Sequence, residues 1–234
     1  MPERYLNGNP PVPILMRRSA RARRISLRVS RLDGRVTLTL PKGVSEAEAL
    51  AFAESRADWI RGHLAAREED VVPTAGARIP VEGQLHEIKQ VTGRRVLCEN
   101  GQILVPAHAA PARLRSWLRE LARDRLTAAS DRHAAALGRS YARITLRDTR
   151  SRWGSCSSAG ALMYSWRLVM APPEVLDYVA AHEVAHLVEM NHSPAFWSVV
   201  EKLYGPYETQ RKWLRSNGTS LHRYRFDATT DGGA

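Results

Sequence analysis

The sequence predicts an α+β fold: a small β-rich region on the N-terminal side, then a helical layer backed by a small sheet. Two observations predict it. Short runs of alternating apolar and polar residues, punctuated by glycine and Asn/Asp turn signals, fill roughly the first hundred positions. Beyond them the apolar residues recur at helical spacing, in segments opened by proline or serine. The 234-residue chain has room for one large domain or two small ones. With 44% hydrophobic residues it can bury a core without covalent staples. The expected divisions are a flexible leader over 1–13, a β-rich region with one helix over 14–106, a second domain over 107–222 and a disordered tail over 223–234.

Taken in order, Ile25, Leu27 and Val29 alternate with polar residues, as do Val36, Leu38 and Leu40, and Asp33-Gly34 between them is a hairpin signal. Ser45, with Glu46 and Glu48 behind it, opens a helix through Ala49, Phe52, Trp59 and Ile60. Residues 71–77 read as a linker. Strand-like pieces follow at 79–81, 85–88, 96–98 and 103–105, with Gly83, Gly93 and Asn100-Gly101 as turns. Pro111 starts a long helix to about Leu137, stopped by Gly138. Strand-like segments at 144–146 and 161–170 flank Arg152-Trp-Gly-Ser-Cys-Ser-Ser158, and Pro172-Pro173 and Ser193-Pro194 each start a further helix.

The net charge of +11 is carried almost wholly by arginine, since Lys42, Lys89, Lys202 and Lys212 are the only lysines. Such a balance favours polyanionic partners, nucleic acid first. Arg17, Arg18, Arg21, Arg23 and Arg24 are the candidate phosphate patch, the competing reading being a strand edge guarded by charge. Two cysteines, Cys98 and Cys156, exclude a disulfide framework. No run of about 18 apolar residues exists, so no membrane span is expected. The N-terminus lacks the apolar core of a signal peptide, and the expected location is cytoplasmic.

His182-Glu183-Val-Ala-His186 carries the chemistry. Residues four apart lie on one helix face, so both imidazoles can reach one ion. Glu183, one step round, can face the ion's open position and act as general base towards a water that zinc polarises. Apolar neighbours on nearly every side of this helix make the polar trio costly to bury unless it ligates something.

A third ligand is needed, and His192 is the expected one. Six residues beyond His186 it would lie ~9 Å further along an unbroken helix, so the chain must break before it. Asn191 can terminate a helix in the left-handed conformation, and Ser193-Pro194 opens the next. Competing donors are Glu201 or Glu208 from the following helix, and Cys156 upstream.

Trp153-Gly-Ser-Cys156, Ser165-Trp-Arg-Leu168, Ala171-Pro172, Asp177-Tyr-Val179, His182-Glu-Val-Ala-His186 and Asn191-His-Ser-Pro-Ala-Phe-Trp197 together resemble the YgjP-like metallopeptidases, which are similar in turn to the SprT-type and WLM-type zincins. Arg24-Ile-Ser-Leu-Arg-Val29 through Trp59-Ile60 fits that family's N-terminal region more loosely. The resemblance implies a zincin-like catalytic domain of active-site helix, small sheet and following helix. It also implies one zinc ion per chain held by His182, His186 and His192, Glu183 as general base, and a peptide or protein substrate. Two positions depart. Ser165 stands where an asparagine is expected, and Glu189 stands where the metzincins, which share the histidine spacing, turn at a glycine. Arg167 and Tyr207 are candidate oxyanion or substrate contacts, a structural ion pair being the competing reading for Arg167; Tyr204 is a further candidate. The function expected is therefore zinc-dependent peptide hydrolysis. The alternatives are a basic protein associated with nucleic acid, acting on DNA-bound proteins, and a non-peptidase zinc hydrolase.

Overall fold

The structure, a computed structural model, describes residues 4–30 and 32–226, and divides into two compact units, 1–69 and 70–234. In the first, β1 (Arg4–Leu6), β2 (Val12–Arg18), β3 (Ser26–Val29) and β4 (Val36–Leu40) form a sheet of order β1-β2-β4-β3. The β3–β4 pair is antiparallel around the Asp33-Gly34 turn, where Gly34 has φ +71°. Strand β2 runs parallel to β4, bringing Ile14 and Val29 into register on either side of Val36. Alternation sends Val36, Leu38 and Leu40 into one core with Leu6, Ile14 and Ile60.

Two expectations fail here. The segment 1–13 is not a free leader, since Arg4–Leu6 pairs with β2 and Leu6 is buried; residues 1–3 lie outside the described residues. One helix becomes two, α1 (Glu46–Glu54) and α2 (Ala57–Ala65). Ser45 caps α1 by accepting from the Glu48 amide at 3.1 Å. The break falls at Ser55, whose hydroxyl donates back to the Phe52 carbonyl at 2.8 Å. Of the arginine cluster, Arg17 and Arg18 end β2 inside the sheet, with Arg18 donating to the Val44 carbonyl, whereas Arg21, Arg23 and Arg24 lead into the edge strand β3.

The second unit opens with β5 (Arg78–Val81), β6 (Gln84–Val91), β7 (Leu97–Glu99) and β8 (Gln102–Pro106), ordered β5-β6-β8-β7. The antiparallel, parallel, antiparallel pairings repeat those of the first sheet. The boundary expected at 106 is therefore wrong. Ile79, Val81, Ile88, Ile103 and Val105 share one core with Leu114 and Leu118 of α3 (Ala110–Ala136), so this sheet belongs to the second unit. Two such fully buried leucines contribute about 1.5–3 kcal/mol each. Nor are residues 71–77 a free linker. Val71 exchanges backbone hydrogen bonds with Arg223 and Arg225 at 2.9 and 2.8 Å. Tyr224 and Phe226 are buried, so the expected tail is ordered through Phe226; residues 227–234 lie outside the described residues.

The rest of this unit holds a three-stranded sheet, order β10-β11-β9, of β9 (Arg143–Arg147), β10 (Gly154–Cys156) and β11 (Ala161–Ser165). The strand expected over 161–170 stops at Ser165 and turns into a 3₁₀ helix, Trp166–Met170. Then come α4 (Pro173–Ala185), α5 (Pro194–Tyr204), α6 (Glu208–Asn217) and a 3₁₀ turn, Gly218–Arg223. Helix α4 packs against α3, α5, α6 and β10. Among the described residues no helix is long and apolar enough to cross a membrane.

Candidate metal centre

Helix α4 starts where two prolines dictate, with Pro173 in the first turn needing no amide partner and Glu174 facing the positive end of the helix dipole. Val175, Leu176, Tyr178, Val179, Ala180, Ala181, Val184 and Ala185 are all buried, so it is enclosed on nearly every side. His182 lies in its last turn and His186 is its C-cap. The helix thus ends five residues before Asn191, which is not among the residues with positive φ. The amides of Leu187, Val188 and Glu189 bond back to the carbonyls of Val184 and Ala185 at 2.9–3.1 Å, closing the end without a left-handed residue. Ser193 donates its amide to the Asn191 carbonyl at 2.7 Å and caps α5 by accepting from the Phe196 amide at 3.4 Å. This reversal returns His192 to the other two rings.

The metal-facing nitrogens of His182, His186 and His192 all lie within 4.8 Å of one another. Nε2 of His182 and Nε2 of His192 are 3.1 Å apart, close to the separation of about 3.3 Å that two Zn–N bonds of ~2.05 Å at a tetrahedral angle require. His186 gives its Nδ1 to the Glu189 carbonyl at 2.9 Å, which directs the lone pair of Nε2 towards the cluster. Burial, together with the neighbouring His186 and His192, pushes the pKa of His182 down to about 3, and burial lowers that of His186. Both are neutral at physiological pH, as metal ligation demands. Phe196, fully buried, is the common floor, its ring centroid 4.4–4.9 Å from each imidazole. His192 is exposed, which leaves the cluster open on one side.

Glu183 points elsewhere. Its side chain is buried over the backbone of β10, where a Cβ on Gly154 would stand 2.6 Å from Glu183 Cγ and 2.7 Å from Cδ. Only glycine leaves room for the carboxyl group there. Burial raises its pKa to about 8, opposed by the charge of Arg152. A metal-free site therefore holds a basic carboxyl group near three imidazoles, two of them with pKa values lowered by burial, a set that fits a divalent cation.

The other candidates separate clearly. Among the described residues the cluster includes neither Cys156 nor Glu201 nor Glu208. Cys156 stays on β10 with its thiol pKa raised by burial and by the charge of Glu183. Arg167 is not available as an oxyanion contact. It sits on the 3₁₀ helix, 6% exposed, with Nε and Nη2 on Asp148 at 2.6 and 3.0 Å and Nη1 on the carbonyls of Leu221 and Tyr224. Four of its five N–H donors are thus spent on pinning the C-terminal segment. Tyr204 donates its hydroxyl to the Glu174 carbonyl. Tyr207 is buried at the N-cap of α6, stacked between Tyr178 and Trp197, and it is Trp197 that meets His182 and His192 at 5.6 and 5.8 Å. Tyr207 therefore supports the wall of the site one ring removed from the ligands. Ser165, where an asparagine was expected, is fully buried with its hydroxyl unpartnered among the described residues.

Three contributors were missed in the sequence: Gly154, Phe196 and the Glu189 carbonyl. Phe196 carried a signal, since it stands three residues after a Ser-Pro N-cap on the first inward-facing position of α5. Gly154 carried none beyond its place beside Trp153 and Ser155.

A family model described as the YgjP-like metallopeptidase domain matches residues 23–217, most of the chain. No curated protein matches. Among solved structures the chain is similar to the crystal structure of the metallopeptidase zymogen of Pyrococcus abyssi abylysin, at 21% identity and a TM-score of 0.36, covering 42% of this chain and 97% of that one.

Proposed function

The chain belongs to the YgjP-like metallopeptidase family, and from that premise we propose that it hydrolyses peptide bonds with one zinc ion held by His182, His186 and His192 and with Glu183 as general base. The observation that carries this reading is the convergence of three ring nitrogens within 4.8 Å on the open side of α4, with the Glu183 carboxyl group set apart on β10. Three imidazoles suit zinc over harder divalent ions, which prefer oxygen. When bound, such an ion supplies Lewis acidity to a scissile carbonyl and acidifies water.

The residues of the chain supply the rest. Glu183 cannot join the ligand set without leaving its seat over Gly154, so its carboxylate is free to take a proton from attacking water. Its raised basicity suits that task and the later return of the proton to the leaving amine. Phe196 and Trp197 exclude water behind the histidines and fix their ring planes. Strand β10 is the edge of its sheet and touches Glu183 through Gly154. As an edge strand it can hydrogen-bond an extended peptide beside the base.

Peptide hydrolysis before and after chelation tests the reading. Removal of the metal is expected to lower cleavage of a mixed peptide substrate by at least about 100-fold, with one equivalent of zinc restoring it. Cleavage that continues undiminished in the fully chelated protein would sink the proposal.

A further inference from the structure

We propose that the cavity beside His186 is a specificity pocket for a carboxylate of the substrate, with Arg139 as its counter-ion. The proposal rests on the peptidase reading above and names the substrate class.

The cavity has a volume of about 490 Å³ and three walls: the turn that ends α3 at Gly138–Ser140, the β10–β11 turn at Ser157–Gly160, and the turn that follows α4 from His186 to Met190. It therefore adjoins a metal ligand directly. The walls are fixed by backbone contacts. Ala142 donates its amide to the Gly160 carbonyl at 2.8 Å, tying the second wall to the first, and Gly160 donates to the Ser157 carbonyl at 2.9 Å. A Cβ on Gly160 would already meet Leu187 Cδ2 at 3.6 Å, so the second wall also rests on the third.

The lining is one-sided in charge. The lining includes Arg139, Ser140, Ser157 and Ser158, and among the described residues that line it there is no aspartate or glutamate. Glu189, in the same turn as Met190, contributes only its carbonyl, to His186. The hydroxyl oxygen of Ser157 accepts from the Ala161 amide at 3.1 Å, which leaves its hydrogen to donate elsewhere. Some arginines of this unit have a carboxylate: Arg125 has Glu82, Arg132 has Asp177 and Arg167 has Asp148. Arg139, exposed at the cavity, has none among the described residues. A pocket lined by an arginine and serine hydroxyls without a carboxylate of its own is matched by a carboxylate.

Position follows from β10. Ser157 lies three residues beyond Gly154, the seat of the general base, or about 10 Å along an extended strand. A carboxylate in the pocket then belongs to a residue one to three positions from the scissile bond, either an Asp or Glu side chain or the free C-terminus of a short peptide.

The test uses the zinc-loaded enzyme and a set of otherwise neutral peptides in which Glu, Gln or Lys occupies each of the three positions on either side of the cleaved bond, each with a free and an amidated C-terminus. At one position Glu is expected to exceed Gln by about tenfold in kcat/KM, and Arg139→Glu is expected to reverse the order so that Lys is preferred. A reversal of preference within one variant cannot come from partial unfolding. The same peptides, fluorescently labelled, are bound to zinc-loaded Glu183→Gln with and without Arg139→Ala, which reads the pocket without turnover. Preference for Glu in binding, with no peptide cleaved by the wild type, would uphold the pocket and discard the peptidase reading. Preference that follows the free C-terminus alone would support the pocket and assign the carboxylate to the chain end. Equal rates and equal affinities for Glu and Gln at every position and for both chain ends, or a preference untouched by Arg139→Glu, would overturn the pocket while leaving hydrolysis intact.

Discussion

Glu183→Gln is expected to retain zinc and to lose about 10³-fold in kcat, because it removes the proton acceptor and leaves the three imidazoles in place. The same substitution carries a second signature in the metal-free protein. Burial holds the Glu183 carboxyl group protonated up to about pH 8, whereas in the unfolded chain it ionises near its ordinary value of 4.5. Between those values the folded state binds more protons than the unfolded state, so the stability of the chelated wild type falls as the pH rises from 4.5 to 8. Glutamine does not titrate and escapes that loss. The chelated variant is therefore expected to exceed the chelated wild type by about 2–4 kcal/mol at pH 8, and to approach it near pH 4. Denaturant midpoints at the two pH values, beside kcat of the loaded forms, make the check. A difference in stability that does not change with pH would show that Glu183 is not held protonated by burial, and a variant with normal kcat would remove it as the base.

Gly154→Ala is the second substitution with a large expected effect. The backbone of Gly154 is ordinary strand, so alanine adopts it without torsional strain. The conflict is one of space, since the new methyl group would fall 2.6 Å from Cγ and 2.7 Å from Cδ of Glu183. Either the carboxyl group is displaced or β10 shifts, at a cost of about 1–3 kcal/mol in stability. A displacement of about 1 Å in a catalytic group costs on the order of 100-fold in rate. The three histidines form their cluster without Glu183, so zinc content should stay at the wild-type level. Loss of kcat with full metal content is the expected result. Normal kcat would mean that the seat of Glu183 over β10 has no part in catalysis.

These two positions also mark where reading from sequence stops. The spacing of His182 and His186 is local, fixed by 3.6 residues per turn, and the Ser193-Pro194 cap that reverses the chain is equally local. The hairpins at Asp33-Gly34 and Asn100-Gly101 were legible for the same reason, since Gly34, Asn100 and Gly101 themselves adopt positive φ. Gly154 meets Glu183 across 29 positions, and a glycine in a short strand carries no mark of what will lie over it. The unit boundary was misplaced because β1–β4 and β5–β8 share one strand order and one alternating pattern; only the packing of Ile79, Ile88 and Ile103 on α3 assigns the second sheet to the histidine-bearing unit. Arg167 was read as a strand residue near the chemistry, whereas its partners, Asp148 and two carbonyls near the C-terminus, are far apart in sequence. In each case a local motif was visible and a long-range contact was not.

In the proposed site three imidazoles, two from α4 and one returned by the turn at Asn191–Ser193, share one ion. Metal analysis of the purified protein beside His192→Ala and Cys156→Ser tests it most directly. About one zinc per chain is expected in the wild type and in Cys156→Ser, with binding weakened by at least about 100-fold in His192→Ala. Full metal content in His192→Ala, or its loss in Cys156→Ser, would contradict it.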